Sequence, residues 1–578
     1  MFWKEKEMML SLKTSDGKEI KCRNMLVKAA ELLVEGNIIA VKGIGGYHLA
    51  CNARNEGAVQ KLRDRKRRKD KPFALMAKDM ETVKKECLVS CEEECLLQSC
   101  RMPIVLLRMK ASCSLPGNIA PGMNRLGMIL PYTDIHASLF SEDLDLLIMT
   151  SGNISNSPIQ YKDAGAIAHL SGIADYFLYH DNEIDIPLED SVFKVFEGRE
   201  SVIRGGRGFA PFKIHMGKGR YEVLALGSEL KGAFSVLKDG YGYLSRCFGD
   251  LGNKEVFEIY QHALDRYLQD IGSQPSVIAY DMHPYYTTAQ YASKLEGIKA
   301  AVQHHHAHMA SCMAEHSLHR KTIGIIYDGT GWGTDGAIWG GEFFIGSREA
   351  FHRAGHFKYV SLQGGGQSVK EPWRTALSYL HSIGYAEKRN ISQWNKEKSA
   401  VVEQALKTGY NCYASSSLGR LFDCAASLLG ICQRINYDAQ AAILLESILN
   451  PYEKAGYEYK IYENNGGRLE IDYKGIIEGI MRDMDNNIAI GTISSRFHNT
   501  ICDITLDMAL KIRKISNVET VVLSGGCFEN TYLLKGVLER LRGEGFDVYY
   551  NQHIPINDNG ISIGQLAAAS ALYNREVP

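Results

Sequence analysis

The sequence predicts an α/β architecture of open sheets, on three observations: apolar runs of strand length, small-residue loops at the ends of those runs, and helical apolar spacing between them. Residues 26–34 (LVKAAELLV) have the spacing of an amphipathic helix, and NIIAVKGIGG follows as a buried strand entering a glycine-rich turn. Further strand-like runs at 103–107, 146–149 and 176–179, ending near 202–209, place a first domain at 22–212, after an N-terminal extension of residues 1–21. The stretch APFKIHMGKGRYE mixes proline, glycine and charge, so residues 213–221 read as a linker. In the second domain, 222–578, strands at 223–226, 323–327 and 521–523 each empty into a loop of Gly, Ser or Asp whose amides suit phosphate.

Composition narrows the function classes. The 578 residues are 45% hydrophobic and 23% charged, as in ordinary globular proteins. With 66 Lys plus Arg against 67 Asp plus Glu, the net charge of −1 supplies no global field for nucleic acid. No apolar run reaches the ~18 residues of a membrane span, and the first residues lack the apolar core of a signal peptide. A cytoplasmic protein without nucleic-acid or membrane partners is expected. Fourteen cysteines without a CxxC pair argue against a disulfide framework or a zinc ribbon. Cys87, Cys91 and Cys95 recur at helical spacing and read as one side of a helix.

The densest charge run, Arg63 to Lys71, is by itself either a solvated face or a polyanion patch. Its company favours the second: Lys42 at a strand end before three glycines, Thr150-Ser151-Gly152-Asn153 after a strand, and Arg204 near another strand end. Cations with small hydroxyl and amide side chains after strands suit a triphosphate.

Gln303-His304-His305-His306-Ala307-His308 is the sharpest local signal. On a helix, His304 and His308 lie one turn apart on one face, as two imidazoles on one metal would, while His305 and His306 point elsewhere. Spacing alone leaves a solvated histidine face equally open. Asp328, opening the loop DGTGWGTDG, and Asp558, in NDNG before an apolar helix, supply two carboxylates that favour a catalytic divalent ion such as iron or zinc.

The first domain resembles the YrdC-like family, whose members form threonylcarbamoyl-adenylate from ATP. The resemblance rests on KGIGGYHLACNA (42–53), LRDRKRRKDKPFALM (62–76), PYTDIH (131–136), TSGN (150–153) and IRGGRGFAP (203–211). It implies that Lys66 and Arg68 are the family's KxR pair on the nucleotide phosphates and that Ser151 and Asn153 are its SxN pair. Thr133 would lie beside the acyl-adenylate, with Lys42, Lys71 and Arg204 as further cations. The second domain resembles the threonylcarbamoyl transferases of duplicated actin-like fold, through VQHHHAHMASCMAEH (302–316), IIYDGTGWGTDGAIWGGEF (325–343), LSGGCFEN (523–530) and IPINDNGISIGQ (554–565), among other stretches. That resemblance implies His304, His308, Asp328 and Asp558 as metal ligands, and Asp328, Gly329, Gly331, Gly525, Gly526 and Asn530 as nucleotide positions.

A YrdC-like domain followed by this actin-like domain, with HHHAH and EPWR (371–374), resembles the HypF carbamoyltransferases of hydrogenase maturation. The resemblance implies that ATP, with Mg2+, and carbamate or carbamoyl phosphate give carbamoyl-adenylate. The carbamoyl group then passes through the interior to the C-terminal cysteine of a HypE-like partner. Transfer to tRNA or to a small-molecule hydroxyl, and a non-catalytic ATP-sensing module, are the alternatives; intact candidate ligands speak against the last. The family's usual acylphosphatase and zinc modules are missing, so a truncated or short natural form is expected, and its SQHIGDL stretch reads SRCFGDL at 245–251.

Overall fold

Local chemistry starts the first helix where the apolar spacing puts it: the Asn24 side chain accepts from Leu26 N and Val27 N, and Met25–Val34 turns Ala29, Leu32 and Leu33 inward. The computed structural model describes residues 9–154, 157–385 and 394–574. Within them the chain divides into two units. The first comprises residues up to Pro211 with Arg246–Phe248 and Asn253–Tyr267; the second holds the remainder.

The first unit is one mixed sheet. Its central order is Leu10–Thr14, Tyr176–His180, Ile39–Lys42, Tyr47–Asn52, Leu146–Ser151, Ala74–Ala77, Arg125–Ile129 and Ile104–Met109. Strand alternation sends Ala40, Tyr47 and Leu49 to one core, with Val59 and Leu62 of the helix Glu56–Lys66, and Ile39, Val41 and Ala50 to the other, with Leu32 and Leu33. Both faces are therefore covered. Leu10–Thr14, expected in an extension, pairs antiparallel with Tyr176–His180 and is part of this sheet; residues 1–8 of that extension lie outside the described residues.

The second unit repeats one plan twice. In the smaller sheet Tyr241–Leu244, Ser235–Lys238 and Val223–Ala225 form an antiparallel set, followed in parallel by Val277–Asp281 and Ile298–Val302. In the larger one Phe351–Phe357, Ile338–Gly346 and Thr322–Trp332 are antiparallel, followed in parallel by Thr520–Ser524 and Asp547–Tyr550. This duplication is the actin-like architecture. The expected linker is corrected in one respect: Phe212–His215 is a strand, pairing with Tyr241–Leu244 at the edge of the smaller sheet. Alternating charged and apolar side chains in FKIH suit an edge that faces solvent on one side.

Candidate nucleotide and metal sites

The first site grows from the end of the helix Glu56–Lys66, where Arg67 takes a left-handed conformation and turns the chain. The charge run is only partly a solvated face: Arg63 and Lys66 are buried. Lys66 Nζ donates to Ser151 O, to Asn153 O at 2.7 Å and to Asn153 Oδ1 at 2.6 Å, and Ser151 Oγ donates to Asn153 Oδ1 at 2.9 Å. Burial and the neighbouring Arg68 push the Lys66 ammonium below the ordinary lysine value. Arg68 lies over the Phe73 ring and donates to Lys71 O at 3.1 Å and Thr150 Oγ1 at 3.4 Å.

Helix end and strand end are thus joined by the residues expected on the phosphates. Glu189, which sequence reasoning passed over, pairs with Arg204 and also feels Lys71 and Lys66, so those cations share one neighbourhood. Lys42 is buried and tied elsewhere, 2.6 Å from Asp163 Oδ1 and 3.1 Å from His180 O. Thr133 serves as an N-cap, accepting from His136 N at 3.1 Å. Its loop is held by a group no spacing rule reveals: Asp190 bonds Arg207 Nε at 2.7 Å and faces His48 Nε2 at 3.3 Å, while Arg207 lies 3.5 Å from the Tyr132 ring centre.

The second site starts from Gln303, whose side chain accepts from His306 N and caps the helix His304–Glu315. That helix is buried from His304 to Ala314, which removes the solvated-face reading. His304 Nε2 lies 3.4 Å from Asp328 Oδ2 and 3.8 Å from Asp558 Oδ1; His308 Nε2 lies 3.9 and 3.6 Å from the same two atoms. All four ligand atoms fall within 4.8 Å of one another. Tetrahedral bonds of about 2.1 Å place ligand atoms about 3.4 Å apart, so the cluster is close to the size of a metal shell.

The electrostatics agree. Both Nε2 atoms are buried without a hydrogen-bond partner, a costly arrangement unless a cation takes the lone pairs. Burial opposes the charged form of His304, yet Asp281, Asp328 and Asp558 outweigh it and raise its pKa, the field expected where a cation belongs. Asp281 Oδ2, 2.7 Å from His304 Nδ1, orients the ring and directs Nε2 at the cluster. His308 Nδ1 is 3.5 Å from Ser524 Oγ, which donates to Asn551 Oδ1 at 2.8 Å. Nothing local in the sequence marks Asp281 as the partner of a residue 23 positions on.

The loop expected at Asp328 is instead strand: Thr322–Trp332 runs on with a register shift between Tyr327 and Gly331, because Ile338–Gly346 continues to pair beyond it. Asp328 Oδ1 accepts from Gly526 N at 3.1 Å, joining this strand to the Ser-Gly-Gly turn. Gly525 there has φ +102°, and a Cβ would come 2.3 Å from Tyr327 O, so only glycine permits the approach. Two further nucleotide candidates also have a part in holding the fold. Gly331 packs on the histidine rings, where a Cβ would meet His305 Cε1 at 2.4 Å and His304 Cδ2 at 2.7 Å. Asn530 caps the helix Thr531–Gly543 and its amide contacts His498 Nε2 at 2.9 Å. His305 Nδ1 is 3.0 Å from Gln303 Nε2.

Three family models cover these elements: "Telomere recombination" (Sua5/YciO/YrdC) over residues 31–206, "HypF Kae1-like domain" over 218–315, and "Carbamoyltransferase, Kae1-like Domain, second subdomain" over 324–565. The carbamoyltransferase HypF of Synechocystis sp. is 34% identical over 560 residues, spanning 93% of this chain and 72% of its own. HypF2 of Cupriavidus necator is 33% identical over 97% of this chain and 75% of its own. A crystal structure of full-length HypF in a phosphate- and nucleotide-bound form superposes with a TM-score of 0.94 at 40% identity, over 98% of this chain and 75% of that one. Sequence likeness at this length and the shared two-part fold lead to one conclusion: the chain belongs to the HypF family of carbamoyltransferases, enzymes of hydrogenase maturation.

Proposed function

We propose that this carbamoyltransferase works in two steps, one in each unit. In the first, a carbamate oxygen attacks the α-phosphorus of Mg2+-bound ATP, pyrophosphate leaves, and carbamoyl-adenylate forms. Lys66, Arg68, Lys71 and Arg204 would stabilise the charge that develops on the phosphates, with Ser151 and Asn153 positioning them. In the second, the sulfur of a C-terminal cysteine on a HypE-like acceptor attacks the carbamoyl carbon; the C–O bond to phosphate breaks, AMP leaves with its electron pair, and the thiol proton passes to solvent. His304, His308, Asp328 and Asp558 would hold one divalent ion, iron or zinc, which supplies Lewis acidity beside the transferred group. A cytoplasmic location accords with no described helix being long and apolar enough to cross a membrane.

The observation that carries this reading is the four-residue cluster with two orphaned imidazole nitrogens. The test is ATP–pyrophosphate exchange dependent on carbamate and independent of threonine, followed by mass spectrometry of an acceptor peptide ending in cysteine. A gain of 43 Da, the net mass of a carbamoyl group replacing hydrogen and about that value by atomic composition, is expected only with metal present. Exchange that requires threonine would replace this reading with threonylcarbamoyl chemistry.

A further inference from the structure

Beside the metal cluster lies a cation that neither motif nor resemblance assigns. Arg420, near the start of the helix Leu418–Leu428, is only 8% exposed. Its Nη2 is 3.0 Å from Asp423 Oδ2, while Nε and Nη1 are buried without a hydrogen-bond partner. A guanidinium left so is costly in the protein alone and suits an acceptor brought from outside.

Its surroundings point to the kind of acceptor. Ser417 caps the helix, accepting from Arg420 N at 3.2 Å, and its hydroxyl lies 3.0 and 2.7 Å from the carbonyl oxygens of Asp328 and Gly329. A Cβ on Gly329 would stand 3.7 Å from Arg420 Nη2, and one on Gly419 would stand 2.7 Å from Gly329 Cα. The positive end of this helix is therefore pressed against the backbone that carries the ligand Asp328. Helix dipole and guanidinium together favour an anion, and Nε and Nη1, which open toward different edges of the guanidinium, suit one that offers several acceptor oxygens, such as a phosphate. A Cβ on Gly329 would meet no neighbouring atom within 4 Å other than Arg420 Nη2, so the main chain is open on the side that faces the guanidinium.

We propose that Arg420 is the phosphate anchor of the second unit, holding the phosphate monoester of a nucleotide beside Gly329 and next to the metal ligand Asp328. The proposal rests on reading this unit as the metal-dependent transfer site. In that reading Arg420 would keep AMP bound through its phosphate while the carbamoyl group is handed on.

The experiment uses the full chain loaded with Co2+, whose visible bands report on the metal centre alone. Titrated AMP should shift those bands in the parent. Arg420→Met should raise the AMP dissociation constant about tenfold or more, the loss expected for charge-assisted hydrogen bonds, without altering the AMP-free bands. Arg420→Lys should recover part of the affinity, and it carries the test should the Met variant not fold. Parallel titration with inorganic phosphate separates the sources: phosphate binding as tightly as AMP would remove the nucleotide from the proposal. Unchanged AMP affinity in Arg420→Met, no AMP response in the parent, or altered bands before AMP is added would each overturn it, the last by assigning Arg420 to ligand positioning. Failure of Co2+ to enter the parent would sink the metal reading instead; calorimetry then decides, because Arg420→Met must still remove one AMP site and leave the first unit's.

Discussion

The two candidate sites declare themselves in opposite ways. In the first unit the groups are donors, and the buried Lys66 already bonds Ser151 O and both acceptors of Asn153, so the protein uses the cation to tie a helix end to a strand end. In the second the groups are acceptors, and His304 Nε2 and His308 Nε2 face two carboxylates with no donor between them. The difference teaches that a phosphate site can be built from side chains that also hold the fold together. A cation site instead shows as a deficit, lone pairs gathered in a low-dielectric interior where leaving them unmet is costly.

The largest expected effect tests independence of the two. Replacing His304 and His308 together by Ala removes half of the proposed shell and should abolish stable metal binding, read by elemental analysis, while carbamate-dependent pyrophosphate exchange continues near the parental rate. Exchange and metal content falling together in a folded variant would break the comparison. Next is Lys66→Ala, which should lower exchange by about a hundredfold or more, since it deletes a phosphate contact and the tether of Ser151 and Asn153 at once. Metal content should not change; full exchange in this variant would mean that the first site lies elsewhere.

Smaller effects sharpen the second site. Asp281→Asn removes the carboxylate that orients His304 and should weaken metal affinity about 10- to 100-fold, measured by competition with a chelator. An unchanged affinity would show that His304 needs no second partner. The smallest concerns support at a distance: in Gly564→Ala the new Cβ would come 1.7 Å from Ala307 O, forcing apart the helix that carries the histidines and the helix that follows Asp558. A loss of about 1–3 kcal/mol in denaturant unfolding is expected, with a weaker effect on metal binding. Parental stability would mean that these helices tolerate separation.

Much was legible in the chain itself. The α/β class, the two-part order and the HxxxH pair follow from periods of two and 3.6 residues and from turn chemistry, all properties of neighbours in sequence. The same local rules could not say which of the cations from Arg63 to Lys71 are buried, because burial of Arg63 and Lys66 depends on Asn118, Ile119 and the strand Leu146–Ser151 arriving beside them. They also misread 328–331 as loop, since only the pairing with Ile338–Gly346 extends that strand.

What the sequence determined by itself, then, is the identity and spacing of the groups that carry chemistry. Tertiary structure alone decided their convergence. Asp328 and Asp558 meet His304 and His308 because the parallel registers of Thr322–Trp332, Thr520–Ser524 and Asp547–Tyr550 bring distant segments to one end of a sheet. Asp281 and Arg420 acquire their meaning in the same way, one by reaching a ring nitrogen 23 residues away and the other by lying against Gly329. The physical reason is that hydrophobic burial sets these long-range registers over whole strands, whereas a polar contact is decided within an ångström and leaves no period in the chain.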